Sequence, residues 1–248
     1  MNPIALVTGG SRGIGAATAL LAAQAGYAVA VNYHANSLAA DEVVRSIRSG
    51  GGNAITVQAD VAHEDQVLAM FAKVDAKLGP ITALVNSAGV VDVASRVDGM
   101  SVARLKRMFD TNVIGSMVCA REAVLRMSTA NGGTGGVIVN LSSMAATLGS
   151  PGQYVDYAAS KGAIDTFTLG LAREVAQEGI RVNAVRPGVI DTEIHASGGQ
   201  PDRATQLASS IPMRRAGRAD EVAQAILWLM SDAASYTTGA LIDVAGGR

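Results

Sequence analysis

The chain opens with Ile4-Ala5-Leu6-Val7 running straight into Thr8-Gly9-Gly10-Ser11-Arg12-Gly13-Ile14-Gly15. Four consecutive apolar residues before a glycine cluster read as a strand buried on both faces that ends in a tight turn. A helical pattern follows through Thr18, Leu21 and Ala25. In a strand–turn–helix unit of this kind the glycines permit close backbone approach to a pyrophosphate. The helix N-terminus offers it free amides and the positive end of a dipole. The spacing Gly9-x-x-x-Gly13-x-Gly15 is not the common G-x-G-x-x-G, and a glycine cluster by itself also serves as an ordinary turn. The flanking strand and helix are what favour a nucleotide site, with Gly9, Ser11, Arg12, Gly13, Ile14 and Gly15 as its contacts.

Outward from this unit, short apolar runs alternate with amphipathic segments. The runs are Ile4–Val7, Ala28–Val31, Ala54–Val57, Ile81–Val85, Val137–Leu141, Ile180–Val185 and Leu241–Val244. Helical stripes include Val67, Leu68, Phe71, Val74 and Leu78, stopped by Gly79-Pro80. Another is Ile164, Phe167, Leu171 and Val175, ended by Gly179, and the last is Val222, Ile226, Leu229 and Met230. This alternation predicts an α/β fold: one doubly wound parallel sheet of about seven strands, helices on both faces, with ligands at the carboxyl edge. The whole of 1–248 is expected to be a single dinucleotide-binding and catalytic domain. Asp191 to Arg218, with a short helix near Ala204–Ser209, is expected to be a loop over the substrate.

The bulk numbers narrow the class. The 248 residues carry 20 basic and 21 acidic side chains, a formal net charge of −1, so no basic field exists to hold nucleic acid. Cys119 is the only cysteine, which excludes an intrachain disulfide and suits a reducing compartment. No apolar stretch approaches the ~20 residues needed to span a bilayer, and the first strand begins at Ile4, so a cytoplasmic protein is expected. Neither His63 nor His195 has a partner pattern for a metal or for a Ser-His-Asp triad, and no metal is expected.

The end of the second strand bears on the nucleotide. Val31-Asn32-Tyr33-His34 contains no carboxylate to bind a ribose 2′-hydroxyl, whereas Arg12 is placed to meet a 2′-phosphate. NADP is therefore preferred, with NAD possible, and Asn32 and Tyr33 are cofactor contacts. Asp60 and Val61, after the third strand, are candidates to contact the adenine; a capping role is the alternative for Asp60.

Tyr157 and Lys161 carry the chemistry. At i and i+4 they share a helix face, with Cβ atoms roughly 5–6 Å apart. A nearby ammonium stabilises phenolate and is expected to lower the tyrosine pKa, so that Tyr157 gives or takes a proton near neutral pH.

These features resemble the short-chain dehydrogenase/reductase family over nearly the whole chain. Thr8-Gly9-x-x-x-Gly13-x-Gly15 fits its cofactor motif. Asn86-Ser87-Ala88-Gly89 fits its Asn-Asn-Ala-Gly motif, with Ser87 replacing the second Asn. Asn112, Ser143, Tyr157 and Lys161 fit its catalytic tetrad, and Pro187-Gly188 with Thr192 fits the segment at the nicotinamide end. Among its members the chain looks most like the glucose-dehydrogenase-like and ketoreductase-like ones. The resemblance implies cofactor contacts from Asn86, Ala88, Gly89, Tyr157, Lys161, Pro187, Gly188, Ile190 and Thr192. It implies that Tyr157 donates or accepts the proton and that Lys161 lowers its pKa and holds the nicotinamide ribose. Ser143 would hold the carbonyl oxygen, and Asn112 would anchor a water leading to solvent. Ser142, on the opposite strand face, would not reach the site. It also implies a homotetramer, paired through the helices before the fifth strand and at the catalytic helix and through the apolar, glycine-rich segment Leu241–Arg248.

The expected pocket is lined by Ser95, Met144, Gln153, Tyr154, Val189, Ile190, His195 and Ala196, a mostly neutral set without an arginine clamp. That points to hydride transfer between NADP(H) and a small neutral carbonyl or secondary alcohol. The alternatives are a non-catalytic nucleotide sensor, a reductase of carrier-bound β-ketoacyl groups, and an epimerase or dehydratase relative, which the chain length disfavours.

Overall fold

The computed structural model describes residues 2–248. Its centre is a seven-stranded parallel sheet in the order β3-β2-β1-β4-β5-β6-β9. The strands are β1 (Ile4–Thr8), β2 (Ala28–Tyr33), β3 (Ala54–Gln58), β4 (Ala83–Asn86), β5 (Gly136–Leu141), β6 (Ile180–Pro187) and β9 (Leu241–Val244). Each apolar run becomes one of these strands. The fourth starts two residues late, because the chain leaving Gly79-Pro80 is still turning when the Thr82 amide bonds the Ile4 carbonyl.

The strands of the middle are buried on both faces, which is why they read as continuous apolar runs: Ala5, Leu6 and Val7 are all fully buried. Successive residues serve opposite layers. Ala5 and Val7 join one core with α1 (Gly13–Gln24), α2 (Ser37–Ser49) and α10 (Ala219–Met230). Leu6 joins the other with α3 (Glu64–Lys77), α5 (Gly115–Met127) and α7 (Val155–Val175). The stripe Val222, Ile226, Leu229 and Met230 is buried throughout. In α3, Val67, Phe71 and Val74 are buried, but Leu68 is turned outward.

The strand order reverses direction at β1, so the crevice outside the carboxyl ends of β1 and β4 is the place where such sheets bind ligands. The remaining elements gather at that edge. They are α4 (Val102–Phe109), α6 (Ala145–Leu148), β7 (Ile190–Asp191), α8 (Ile194–Ser197), α9 (Arg203–Leu207) and β8 (Gly217–Arg218). The segment 191–218 is more ordered than its composition implies. It is fastened at both ends by the β7–β8 pairing, and α9 covers the short helix anticipated there. No helix among the described residues is long and apolar enough to cross a membrane.

Candidate active site

The glycine turn is built by contacts that leave no room for side chains. Gly9 and Gly13 have φ of +61° and +53°, left-handed values that glycine adopts without strain. A Cβ on Gly15 would lie 2.4 Å from the Gly9 carbonyl oxygen, so the helix can start this close to the strand only with glycine there. The Thr8 hydroxyl accepts hydrogen bonds from the Ser87 and Ala88 amides, both at 3.0 Å, tying the end of β1 to the loop after β4. Asn32 is wholly committed to this scaffold. Its Oδ1 accepts from the Gly9 amide at 3.1 Å, while its Nδ2 donates to the Val57 and Ala59 carbonyls.

Around the turn lies a cleft of about 440 Å³. Of the residues singled out from sequence, Gly9, Ser11, Arg12, Gly13, Ile14, Gly15, Asn32, Tyr33, Asp60, Val61, Ala88, Gly89 and Thr192 all line it. Arg12 is exposed and has no acidic partner among the described residues. Asp60 accepts from the Ala62 amide at 3.0 Å and stabilises the turn before α3, whose N-cap is His63. Asn86 lies outside the cleft. Its side chain is buried and donates to Asn140 Oδ1 and the Ser116 carbonyl, both at 3.0 Å, so it braces β4 against β5 and α5.

A second cleft, of about 200 Å³, is continuous with the first through Ile14, Ser87, Gly89 and Thr192. Ser143, Tyr157 and Lys161 line it together, as do Pro187, Gly188 and Ile190. The helical spacing thus sets phenol and ammonium on one wall. Lys161 Nζ donates to the Leu141 carbonyl at 2.6 Å and lies 5.6 Å from the centre of the Tyr157 ring. Ser142 also lines the cleft, contrary to expectation, but its hydroxyl is taken up in donating to the Lys161 carbonyl at 3.2 Å.

Asn112 is fully buried in a π-turn (Asp110–Ile114) between α4 and α5. Its Oδ1 accepts from the Val90 amide at 2.7 Å, and its Nδ2 donates to the Val90 carbonyl and to Ser160 Oγ at 3.0 and 3.1 Å. This side chain therefore supports the wall rather than lining it.

The electrostatics correct one expectation. Burial pushes the Tyr157 pKa up, and the Ser143 hydroxyl only partly offsets this. Lys161 does not offset it: its ammonium is turned to the Leu141 carbonyl, and burial brings its own pKa down to about 8, against the opposing pull of Asp165. Tyr157 therefore stands protonated at neutral pH. The start of its helix is fixed by Asp156, which accepts from the Tyr157 amide at 2.9 Å and pairs with Arg104 at 2.7 and 3.2 Å.

The neutral pocket also needs correcting, because Arg203 and Arg248 join its wall. Arg203 lay in a stretch without periodicity, so nothing local marked which way it would face. Arg248 arrives because the C-terminal tail folds back on its own chain. The Met213 amide bonds the Gly246 carbonyl, and a Cβ on Gly246 would lie 2.9 Å from Ile211. Met144, Tyr154, Val189 and His195 line the cleft as expected, whereas Ser95, Gln153 and Ala196 stand outside it.

Known proteins resemble the chain along its full length. A family model described as Enoyl-(Acyl carrier protein) reductase matches residues 9–248. The chain is 60% identical over 245 residues to the "Uncharacterized oxidoreductase YgfF" of Escherichia coli (strain K12), covering 99% of each. It is 38% identical to the 3-oxoacyl-[acyl-carrier-protein] reductase FabG of Staphylococcus aureus (strain Mu50), covering 100% of this chain and 98% of the relative. A short-chain dehydrogenase from Burkholderia cenocepacia J2315, solved in complex with NADP, superposes with a TM-score of 0.90 at 33% identity, over 99% of this chain and 97% of that one. Full-length sequence identity, the parallel sheet and the paired clefts agree: the chain is an oxidoreductase and belongs to the short-chain dehydrogenase/reductase family.

Proposed function

We propose that this protein transfers a hydride between NADP(H) and the carbonyl or secondary alcohol group of a small molecule, with Tyr157 as proton donor in reduction and acceptor in oxidation. The observation that carries this reading is the placement of Ser143, Tyr157 and Lys161 on one wall where the glycine-turn cleft meets the smaller one. The glycine cradle fits a dinucleotide, since its backbone approaches where any Cβ would intrude. Bound there, the nicotinamide would supply or receive the hydride.

The residues around it have separable tasks. Tyr157, protonated at neutral pH, delivers its proton to the substrate oxygen. Ser143 donates to the same oxygen and holds it in reach. Lys161 holds the ribose. Asn112 positions the wall through Val90 and Ser160. Arg12, exposed and without an acidic partner among the described residues, favours the 2′-phosphate of NADP, which supports a preference over NAD. Asn32 and Asn86 serve by fixing the loops that bind. The segment 191–218 is read as the substrate loop of a single 1–248 domain.

Exposed Val102, Leu125 and Trp228 on α4, α5 and α10 suit a homotetramer, and the lone buried thiol of Cys119 suits a cytoplasmic setting. A panel of aldehydes, ketones, sugars and alcohols, run with both cofactors and followed by nicotinamide absorbance, tests the proposal. NADPH-dependent turnover is expected; binding of NADPH with no turnover across the panel would restore the nucleotide-sensor reading.

A further inference from the structure

We propose that the substrate of this cleft carries a carboxylate a few bonds from its reacting carbon, and that Arg203 is the residue that reads it. The inference rests on the reading of the Tyr157 cleft as a carbonyl or alcohol site and names the class of molecule it takes.

The charge on the cleft wall is one-sided. Lys161, Arg203 and Arg248 line it, and no aspartate or glutamate does. Composition does not explain this, since the chain holds 20 basic and 21 acidic residues. Several arginines elsewhere are given acids: Arg104 pairs with Asp156, Arg186 with Asp165, Arg215 with Glu221 and Arg218 with Asp220.

Arg203 is held differently. Its Nη2 donates to Gln153 Oε1 at 2.9 Å, its Nη1 donates to Gln200 Oε1 at 2.5 Å, and the guanidinium lies 5.1 Å from the centre of the Tyr154 ring. No carboxylate lies within 4.0 Å of it among the described residues. Two neutral amides and a buried aromatic face fix the plane of the fork while leaving its charge uncompensated. Arg104, which braces the start of the same helix, is by contrast compensated by Asp156.

The placement suits substrate recognition. Gln153 and Tyr154 immediately precede α7, so Arg203 is seated about one helical turn upstream of Tyr157. Arg203, Tyr154 and Tyr157 all line the same small cleft. A carboxylate on Arg203 and a carbonyl on Tyr157 therefore belong to one small molecule, with the two groups separated by a short chain or ring. Arg248 adds a second cation to the wall. Burial, with the charge of Arg203, lowers the His195 pKa against the opposing Ile190 carbonyl and Asp191, so His195 is neutral there and does not compete for the anion.

The test compares keto acids with their own methyl esters on the full-length enzyme with NADPH. Suitable pairs are levulinate with methyl levulinate, and 4-oxocyclohexanecarboxylate with its methyl ester. A charge-assisted pair of this kind predicts a kcat/KM preference for the acid of about tenfold to a hundredfold, expressed in KM. In Arg203→Ala the preference collapses toward one, and in Arg203→Lys part of it returns. A wild-type ratio at or below one overturns the inference even if neither variant folds. Turnover of neutral ketones without acid preference would leave the hydride-transfer reading standing and remove only this inference; no turnover of any probe would remove both. A third pair, acetoacetyl-CoA against the N-acetylcysteamine thioester of acetoacetate, separates a phosphate-bearing carrier from a free acid. Preference for the CoA ester with indifference to the carboxylate would assign Arg203 to the carrier instead.

Discussion

Removing the Arg104 guanidinium should cost far more than its distance from the clefts suggests. Its side chain is 10% exposed and that of Asp156 is fully buried. Nε and Nη2 grip both carboxylate oxygens, and Nη1 donates to the Val93 carbonyl at 2.6 Å. Arg104→Met leaves a buried carboxylate with only the Tyr157 amide as partner. Stranding a charge this way costs about 3–5 kcal/mol. At about 2–4 °C per kcal/mol for a chain this long, the melting point should fall by roughly 6–20 °C.

The pH dependence has a definite sign. In the intact pair, burial pushes the Asp156 pKa up, but the Arg104 bonds and the Tyr157 amide outweigh it and the pKa falls. The pair's contribution is thus present above the ordinary carboxylate range and is lost as pH drops through the depressed value. In Arg104→Met burial prevails and raises the Asp156 pKa, so protonation relieves the penalty, and the deficit should shrink as pH falls from neutrality toward the ordinary carboxylate range. The double variant Arg104→Met/Asp156→Leu should recover most of the loss, since neither charge is then buried alone. Urea unfolding followed by circular dichroism at fixed chain concentration measures wild type and both variants. A loss under about 1 kcal/mol for the single variant, the value of a solvated surface pair, would refute the reasoning. So would a double variant weaker than the single.

Two further outcomes follow from the clefts. Arg12→Ala should weaken NADPH binding by about tenfold to a hundredfold while changing NADH little, measured by cofactor fluorescence titration; equal losses would remove Arg12 as the phosphate contact. Because burial raises the Tyr157 pKa, kcat/KM for alcohol oxidation should climb with pH, by up to about tenfold per unit. Carbonyl reduction should stay level through neutrality and decline above about 8, where Lys161 loses its proton. An oxidation rate that falls on going alkaline would contradict that assignment.

The fold was legible because its signals are local. A strand buried on both faces must be apolar at every position, and Ile4–Val7 is. A helix that starts against a strand must have glycine at the contact, and Gly15 is placed for it. Tyr157 and Lys161 were legible for the same reason, since a four-residue spacing fixes a shared face. What the sequence hid was long-range. Asn32 and Asn86 look like ligand residues, yet their partners, Val57 and Ala59 in one case and Asn140 and Ser116 in the other, come from distant segments. The rise in Tyr157 pKa depends on how deeply the site is buried, which spacing does not report. Arg203 and Arg248 lie where the chain is least periodic, and only the folded loop and the returning tail bring them to the cleft.

The central claim is that the phenolic hydroxyl of Tyr157 moves the proton that accompanies hydride transfer. The most direct measurement is Tyr157→Phe beside wild type, with NADPH affinity and turnover of one carbonyl substrate determined on the same preparations. The account predicts unchanged affinity within a few-fold and a loss in kcat of about a hundredfold or more. Turnover within about tenfold of wild type, with the cofactor still bound, would contradict it.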